Sequence, residues 1–284
     1  MKKKDLPDDH DSSQPIRPVA EGPDTRTAAQ HLAPLRTLLV ADRTVVIILV
    51  VWEILGRMGL WNPLFFSSPS EIWGGFTSLT EGPLWSDLRV SGIEFAIGMA
   101  IALGLGVPIG LLLGSNRRLN HAFDPIINAL YSTPILVLTP LLVIWFGLGM
   151  GSKIANVAIL AIFPVIINMI EGVRTVDPVL LRAARSFGAS GLSIYKDVTF
   201  PSVIPFFITG VRLAIGKGMI AVVVGEYIAA TEGIGYRIRA DAEVFNTSRY
   251  LAAVMIMVVI SVVMMGLLKV VEKKLAPWRD TTIA

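Results

Sequence analysis

The sequence predicts an all-α, polytopic membrane protein, a bundle of six transmembrane helices. Three observations carry this. Of 284 residues, 53% are apolar, and the mean hydropathy is +0.65. Only 17% are charged, against about 25% in soluble domains. A soluble chain of this size cannot bury so much apolar surface. The apolar residues also gather in six runs of about 20, the length that crosses a bilayer as a helix. The same composition excludes other chemistry. With no cysteine there are no disulfides, no thiol catalysis and no thiolate metal sites. The three histidines (His10, His31 and His121) are scattered, so no metal-ligand spacing occurs. A net charge of +3 is modest and lies in the tails and loops, which fits membrane topology better than nucleic-acid binding.

The elements follow in order. Residues 1–41 are rich in Asp, Pro, Ser and Lys and lack a helical apolar period, so a largely disordered cytoplasmic tail is expected. No apolar core follows Lys2–Lys4 and no small-residue cleavage site is evident, so a cleaved signal peptide is not expected. The membrane domain is placed at 42–272. Its spans are expected at about 42–60, 91–114, 124–147, 153–173, 203–228 and 250–271. The first carries Glu53, and the third contains Pro134 and Pro140. Gly106, Gly110 and Gly114 in the second span recur every fourth residue, the spacing for close helix packing.

Between the first two spans, Ser70 before EIWGGF predicts a capped, short amphipathic helix. Trp61, Trp73 and Trp85 there suit an interfacial position, either anchoring helix ends or meeting a ligand. Residues 273–284 form a C-terminal tail.

Lys and Arg set the orientation. With the N-terminus inside, the inner segments hold Arg117, Arg118, Arg174, Arg182, Arg185, Lys196, Lys273, Lys274 and Arg279. The outer ones hold Arg89, Lys153, Arg237, Arg239 and Arg249. Both termini are therefore expected in the cytoplasm, together with the polar segment 174–202.

That segment has its own local physics. Asp177-Pro178 is a helix start, because Asp accepts orphan N–H groups and Pro fits the first helical position. The helix runs to about Phe187, and Gly188 ends it in a left-handed conformation. Ser190 caps a second short helix, which Pro201 is expected to stop. Ala183 and Ala184 give a flat surface. Local sequence alone leaves two readings, an ordinary connector or a surface on which another protein docks.

Arg182–Pro201 reads RAARSFGASGLSIYKDVTFP. Its spacing resembles the EAA loop of ABC-importer permeases: an Ala pair (Ala183, Ala184), then Gly188, then Pro201. Arg182 stands where that family usually has Glu, Val198 replaces Ile and Phe200 replaces Leu. Further phrases resemble the nitrate/sulfonate/taurine branch. They are SSPSEIW, PLLVIWFGLGMGSKI (140–154), GVRLAIGKGMIAVVVGEYIAATEGIGYRI (210–238) and FNTSRYLAAVMIMV (245–258). Together with the loop they cover roughly residues 65–275.

The resemblance implies a type I importer fold with a five-helix core and one extra N-terminal helix. It implies that Arg182, Ala183, Ala184, Arg185, Gly188, Ala189 and Pro201 couple the chain to an ATPase. The partners implied are an ATP-binding cassette ATPase dimer, a second permease subunit forming a homodimer, and a periplasmic or lipid-anchored substrate-binding protein. Membrane lipids surround it in a bacterial inner membrane. No cofactor is expected in this chain, since ATP and Mg would sit in the ATPase. Consistent with this, no GxxxxGK[S/T] loop occurs, and Gly147–Lys153 is Gly-rich but lies at a turn, not after a strand.

Charges within spans are costly and face protein or water. Lys217, Arg212 and Glu226 in the fifth span are candidates for the substrate pathway, although the three do not share one stripe. Arg212 and Lys217 either offer positive charge to a passing anion or pair with Glu94, Glu171 or Glu226. Asn128, Ser132 and Thr133 beside Pro134, and Asn168, are weaker lining candidates. A small anionic solute is expected. The competing class is an ion-gradient-driven transporter, which would show inverted repeats with matching broken helices. A membrane enzyme would need clustered carboxylates, His or Ser/Lys at one depth, and the sequence shows neither pattern.

Overall fold

In the computed structural model the described residues are 43–58, 62 and 64–276, without the side chains of 135 and 136. The expected N-terminal tail, Trp61 and residues 277–284 lie outside them. The chain divides into two units, Met1–Val51 and Trp52–Ala284. Residues 43–57 are helical (α1), and in the first unit Val45, Val46, Ile47 and Ile48 are exposed.

The second unit continues as α2 (Pro69–Thr80), α3 (Leu84–Ser115), α4 (Arg117–Ser132), a 3-10 turn (Ile135–Leu138), α5 (Thr139–Phe146) and α6 (Met150–Arg174). Then come α7 (Pro178–Ser186), α8 (Gly191–Ile194), a π turn (Tyr195–Thr199), α9 (Phe200–Ala229), α10 (Ile234–Glu243) and α11 (Thr247–Leu275). No strand occurs among the described residues, as the all-α expectation requires.

Four described stretches are long and apolar enough to cross a membrane: Leu84–Ser115, Met150–Arg174, Gly191–Ala229 and Thr247–Leu275. They contain the second, fourth, fifth and sixth expected spans.

The third expected span, 124–147, is not one helix. Thr133, before Pro134, is extended at φ −70 and ψ 136, because the proline ring excludes the helical region for its predecessor. Pro140 then sits at the start of α5, where its missing N–H is harmless. α3 also begins earlier than expected, so Asp87 and Arg89 are helical and not in a loop.

Ser68, not Ser70, caps α2. Ser68 Oγ accepts from Glu71 N, and Glu71 Oε2 accepts from Ser68 N at 2.9 Å. With Pro69 at the first helical position and Glu71 at the third, the capping box falls on Ser68. Ser70 instead donates to the Glu53 carboxylate, through Oγ at 2.7 Å and N at 3.0 Å.

The bundle centre is α3 against α6 against α9. Every fourth residue of α3 faces α6. A Cβ on Gly98 would lie 2.6 Å from Val157 Cβ, one on Gly110 would lie 2.4 Å from Met169 Cβ, and one on Gly114 would lie 2.8 Å from Val173 Cβ. Only a residue without a side chain allows this approach, so the glycine spacing does what it predicts. Around it pack Phe95, Met99, Val165, Ala214, Ile215 and Val222. A second core joins α2, α10 and α11 through Ile72, Leu79, Ile234, Ile238, Ala252 and Ala253.

Candidate functional site

α9 organises three sites along its length. The first is the segment before it. Asp177 caps α7, accepting from Val179 N at 2.7 Å. Gly188 has φ +76. Gly188 N donates to Arg185 O and Ala189 N donates to Ala184 O, both at 3.0 Å. This pair of bonds is a Schellman ending, so Ala184, Arg185, Gly188 and Ala189 form one unit. Ser190 caps α8, accepting from Ser193 N at 3.2 Å.

Pro201 does not stop that second helix. α8, the π turn and α9 run on as one stretch of 39 residues, Gly191–Ala229. Phe200 N reaches back five residues to Tyr195 O, and Pro201 falls in the first turn of α9. The ladder widens just where a proline could not have donated. α7 buries none of its side chains, and Arg182 and Ala183 are exposed. Phe187 is 91% exposed and Leu192 80%, so apolar groups stand out from a polar segment.

The second site is an open face at mid-α9. Lys217 is exposed, and its ammonium lies 5.8 Å from the centroid of the Tyr131 ring on α4. Among the described residues no carboxylate forms an ion pair with it. Asn128 is exposed one turn before Tyr131 and donates to Asp124 Oδ2 at 3.1 Å. Ser132 and Thr133 are exposed beside it, with Thr133 Oγ1 donating to Ala129 O at 2.8 Å. The structure thus brings Lys217 together with the end of α4.

Arg212 is elsewhere. It pairs with Glu272 of α11 at 2.8 Å, a partner outside the three expected ones. Asn168 is engaged with Pro164 O at 2.8 Å.

The third site centres on Glu226, expected on the substrate pathway but engaged here by other helices, and its remaining members were not foreseen. Glu226 is fully buried. Its Oε1 accepts from Ser91 Oγ at 2.6 Å and its Oε2 from Gly235 N at 2.7 Å. Asp87 Oδ1 accepts from Gly233 N, and Asp87 Oδ2 accepts from Arg237 Nε, each at 3.0 Å. Ser91 Oγ accepts from Ile234 N at 2.9 Å. Three successive N–H groups at the start of α10 are therefore held by α3 and α9. Gly233 has φ +105, and a Cβ there would sit 2.4 Å from Glu226 Oε1.

Lys153, expected in an external loop, is buried in the first turn of α6. It donates to the carbonyls of Leu148, Gly149 and Ala229. Asp241 pairs with Arg249 at 3.5 Å. Burial pushes its carboxyl up, against the pull of Arg249 and Arg237. The sequence signal for this cluster is Glu226 followed by GIG, two glycines where a carboxylate meets backbone. Its partners in α3 and α6 carry no local signature.

A family model of the binding-protein-dependent transport system inner membrane component matches residues 106–277. The chain belongs to that family. It is 30% identical over 249 residues to the taurine transport system permease protein TauC of Escherichia coli (strain K12), covering 86% of this chain and 90% of that protein. It is 30% identical over 232 residues to the formylaminopyrimidine transport permease protein ThiX of Halalkalibacterium halodurans, covering 82% and 92%. In solved structures, the inward-facing MetNI methionine ABC transporter matches with a TM-score of 0.58 at 16% identity, over 68% of this chain and 95% of that one. That last likeness concerns fold alone.

The chain is thus an ABC-importer permease subunit, embedded in a membrane. Membership implies, in general terms, an ATPase and a substrate-binding protein as partners.

Proposed function

We propose that this permease forms half of a translocation path for a small sulfonate-like anion, and that segment 174–202 docks on its ATPase. The observation that carries this is the unbroken helix Gly191–Ala229. It bears the docking segment's second helix at one end and Lys217 about two-thirds of the way along. At about 1.5 Å per residue it is a rod of roughly 58 Å. Movement of the docked end must therefore move Lys217.

The docking face is α7 with its Schellman ending. Ala183 and Ala184 let a partner approach closely, and Phe187 and Leu192 supply apolar contact. Arg182, in place of an acidic residue, meets an acidic patch on that ATPase. The path lies between two copies of the chain, on the face holding Lys217, Tyr131, Asn128, Ser132 and Thr133. Arg212 and Glu226 are assigned to structure, since each is engaged by another helix. Both termini are cytoplasmic and the membrane is the bacterial inner membrane. ATP and Mg belong to the ATPase. Taurine, carried in the name of a relative, supports a sulfonate, and an exposed ammonium without a carboxylate partner suits an anion.

The test is ATP-driven uptake in proteoliposomes holding the permease, its ATPase and its binding protein, with taurine and other small sulfonates offered. Lys217→Met is expected to assemble normally and to lower uptake about tenfold, the scale of one weak charge contact of ~1.4 kcal/mol. Wild-type uptake by a Lys217→Met complex of normal stability would contradict the path.

A further inference from the structure

We propose that the groove between α3 and α11 is a phospholipid site: one acyl chain lies along it, and the lipid phosphate sits at Arg89 beside Trp85. The groove has a volume of about 370 Å³. α9 packs against both α3 and α11 and forms its floor, where Met219 and Val222 are buried beside Phe95 of α3. Gly92 and Ala96 of α3 form one wall and are exposed. Met257, Ile260 and Met264 of α11 form the other and are half-buried. All three helices belong to stretches long and apolar enough to cross a membrane. What surrounds the groove is therefore hydrocarbon, not water.

The lining suits an alkyl chain. Its one polar side chain, Ser91, donates to Glu226 Oε1 and accepts from Ile234 N, so the hydroxyl is already engaged with the buried cluster. A polar ligand would find no side chain to bond there and would be desolvated at a cost; an alkyl chain has nothing to lose. The methionines of the lining are unbranched and adapt to a flexible occupant.

Shape and direction select among occupants. A spanning helix, about 10 Å across and about 30 Å long, is too large to seat in this volume, whereas a single hydrocarbon chain fits. A second copy of the chain belongs elsewhere. Met219 and Val222 follow Lys217 by two and five residues, about 200° and about 140° round α9, so the groove faces away from the path face. Only this exclusion rests on the path proposed above. Beyond the groove Ile93 and Ile97 of α3, with Val259 and Val263 of α11, are exposed, so it opens on an apolar surface.

The head of the lipid has a place too. Arg89 follows Trp85 by four residues and Ala96 follows Arg89 by seven, so the three line up along one side of α3. Trp85 is 69% exposed. Arg89 is exposed, and among the described residues no carboxylate forms an ion pair with it. An indole and a guanidinium one turn apart, at the end of an apolar groove, are groups that settle at the headgroup level of a bilayer.

Gly92 makes the site testable. A Cβ there meets nothing within 4 Å, so Gly92→Leu fills the groove without displacing a neighbour. The permease in complex with its ATPase is reconstituted in vesicles containing phosphatidylglycerol with a diazirine in mid-chain, illuminated, and its adducts mapped by peptide mass spectrometry. Wild type is expected to carry the lipid on Met257, Ile260 and Met264 ahead of the exposed Val259 and Val263 on the far side of α11. Gly92→Leu should lose the groove adducts and keep those on Val259 and Val263. Ala96→Leu gives the same reading if Gly92→Leu does not assemble. Arg89→Ala should lower groove labelling about fivefold, the scale of one basic residue at a lipid surface, and leave labelling by a diacylglycerol with the same chain unchanged. Wild-type labelling no stronger in the groove than on Val259 and Val263, or groove labelling that survives both leucine variants, overturns the site. So does cross-linking of Gly92→Cys, the first cysteine in this chain, to another segment or to a second copy, since protein would then cover the groove. These readouts involve no transport, so they stand or fall separately from the proposed function.

Discussion

Gly188 shows how much a single residue can decide. A Cβ built there meets nothing within 4 Å, so any effect of substitution is conformational. A side chain at φ +76 costs roughly 1–2 kcal/mol. Gly188→Val is expected to leave the permease inserted and to weaken recovery of the ATPase in a pull-down. Normal co-purification and normal uptake would remove the docking role. At Arg182 charge is the variable: Arg182→Glu should impair assembly more than Arg182→Ala, read by the yield of complex. Equal yields would mean that the charge has no part.

Residue-level legibility was uneven for a physical reason. The Asp177 cap, the Gly188 ending and the Ser190 cap depend on neighbours within a few positions, and the sequence shows them. Arg212–Glu272 and Glu226–Ser91 join positions 60 and 135 residues apart. Only packing brings those together, so the charges were visible but their partners were not.

At the scale of elements, the glycine stripe is the most exposed claim. Gly110→Val puts atoms where Met169 Cβ and Ile166 O already lie, at 2.4 and 2.9 Å from its Cβ. A loss of about 1–3 kcal/mol is expected, seen as a lower Tm in detergent. Gly104 is the internal control. Its Cβ would meet nothing within 4 Å, so Gly104→Ala should be neutral or slightly stabilising. If both behaved alike, α3 would not pack on α6 through this stripe.

Four spans were legible because an apolar run of about 20 residues leaves few alternatives in a bilayer. The break in 124–147 was less so. Two prolines in an apolar run are compatible with a kink or with a full interruption, and hydropathy does not separate them. The cap of α2 was misplaced by two residues because Ser68 and Ser70 are both good caps, and only Pro69 and Glu71 decide between them.

At the largest scale, one long helical stretch runs through the second unit. Gly191–Ala229 starts in the polar segment 174–202 and ends at the buried cluster that holds α10. Fold and class could be reached from the sequence, because a polar island with family spacing sits between apolar runs. The α10 clamp could not, since it takes residues from α3, α6, α9 and α10, and no local pattern links them.

The central claim is that 174–202 touches the ATPase. The chain has no cysteine, so a single introduced thiol reports on one position. Phe187→Cys, carrying a photo-cross-linker, should attach to the ATPase in the assembled complex, and Val137→Cys on α4–α5's connecting turn should not. Cross-linking from Val137→Cys alone, or labelling of Phe187→Cys by an impermeant reagent added outside intact cells, would contradict the account.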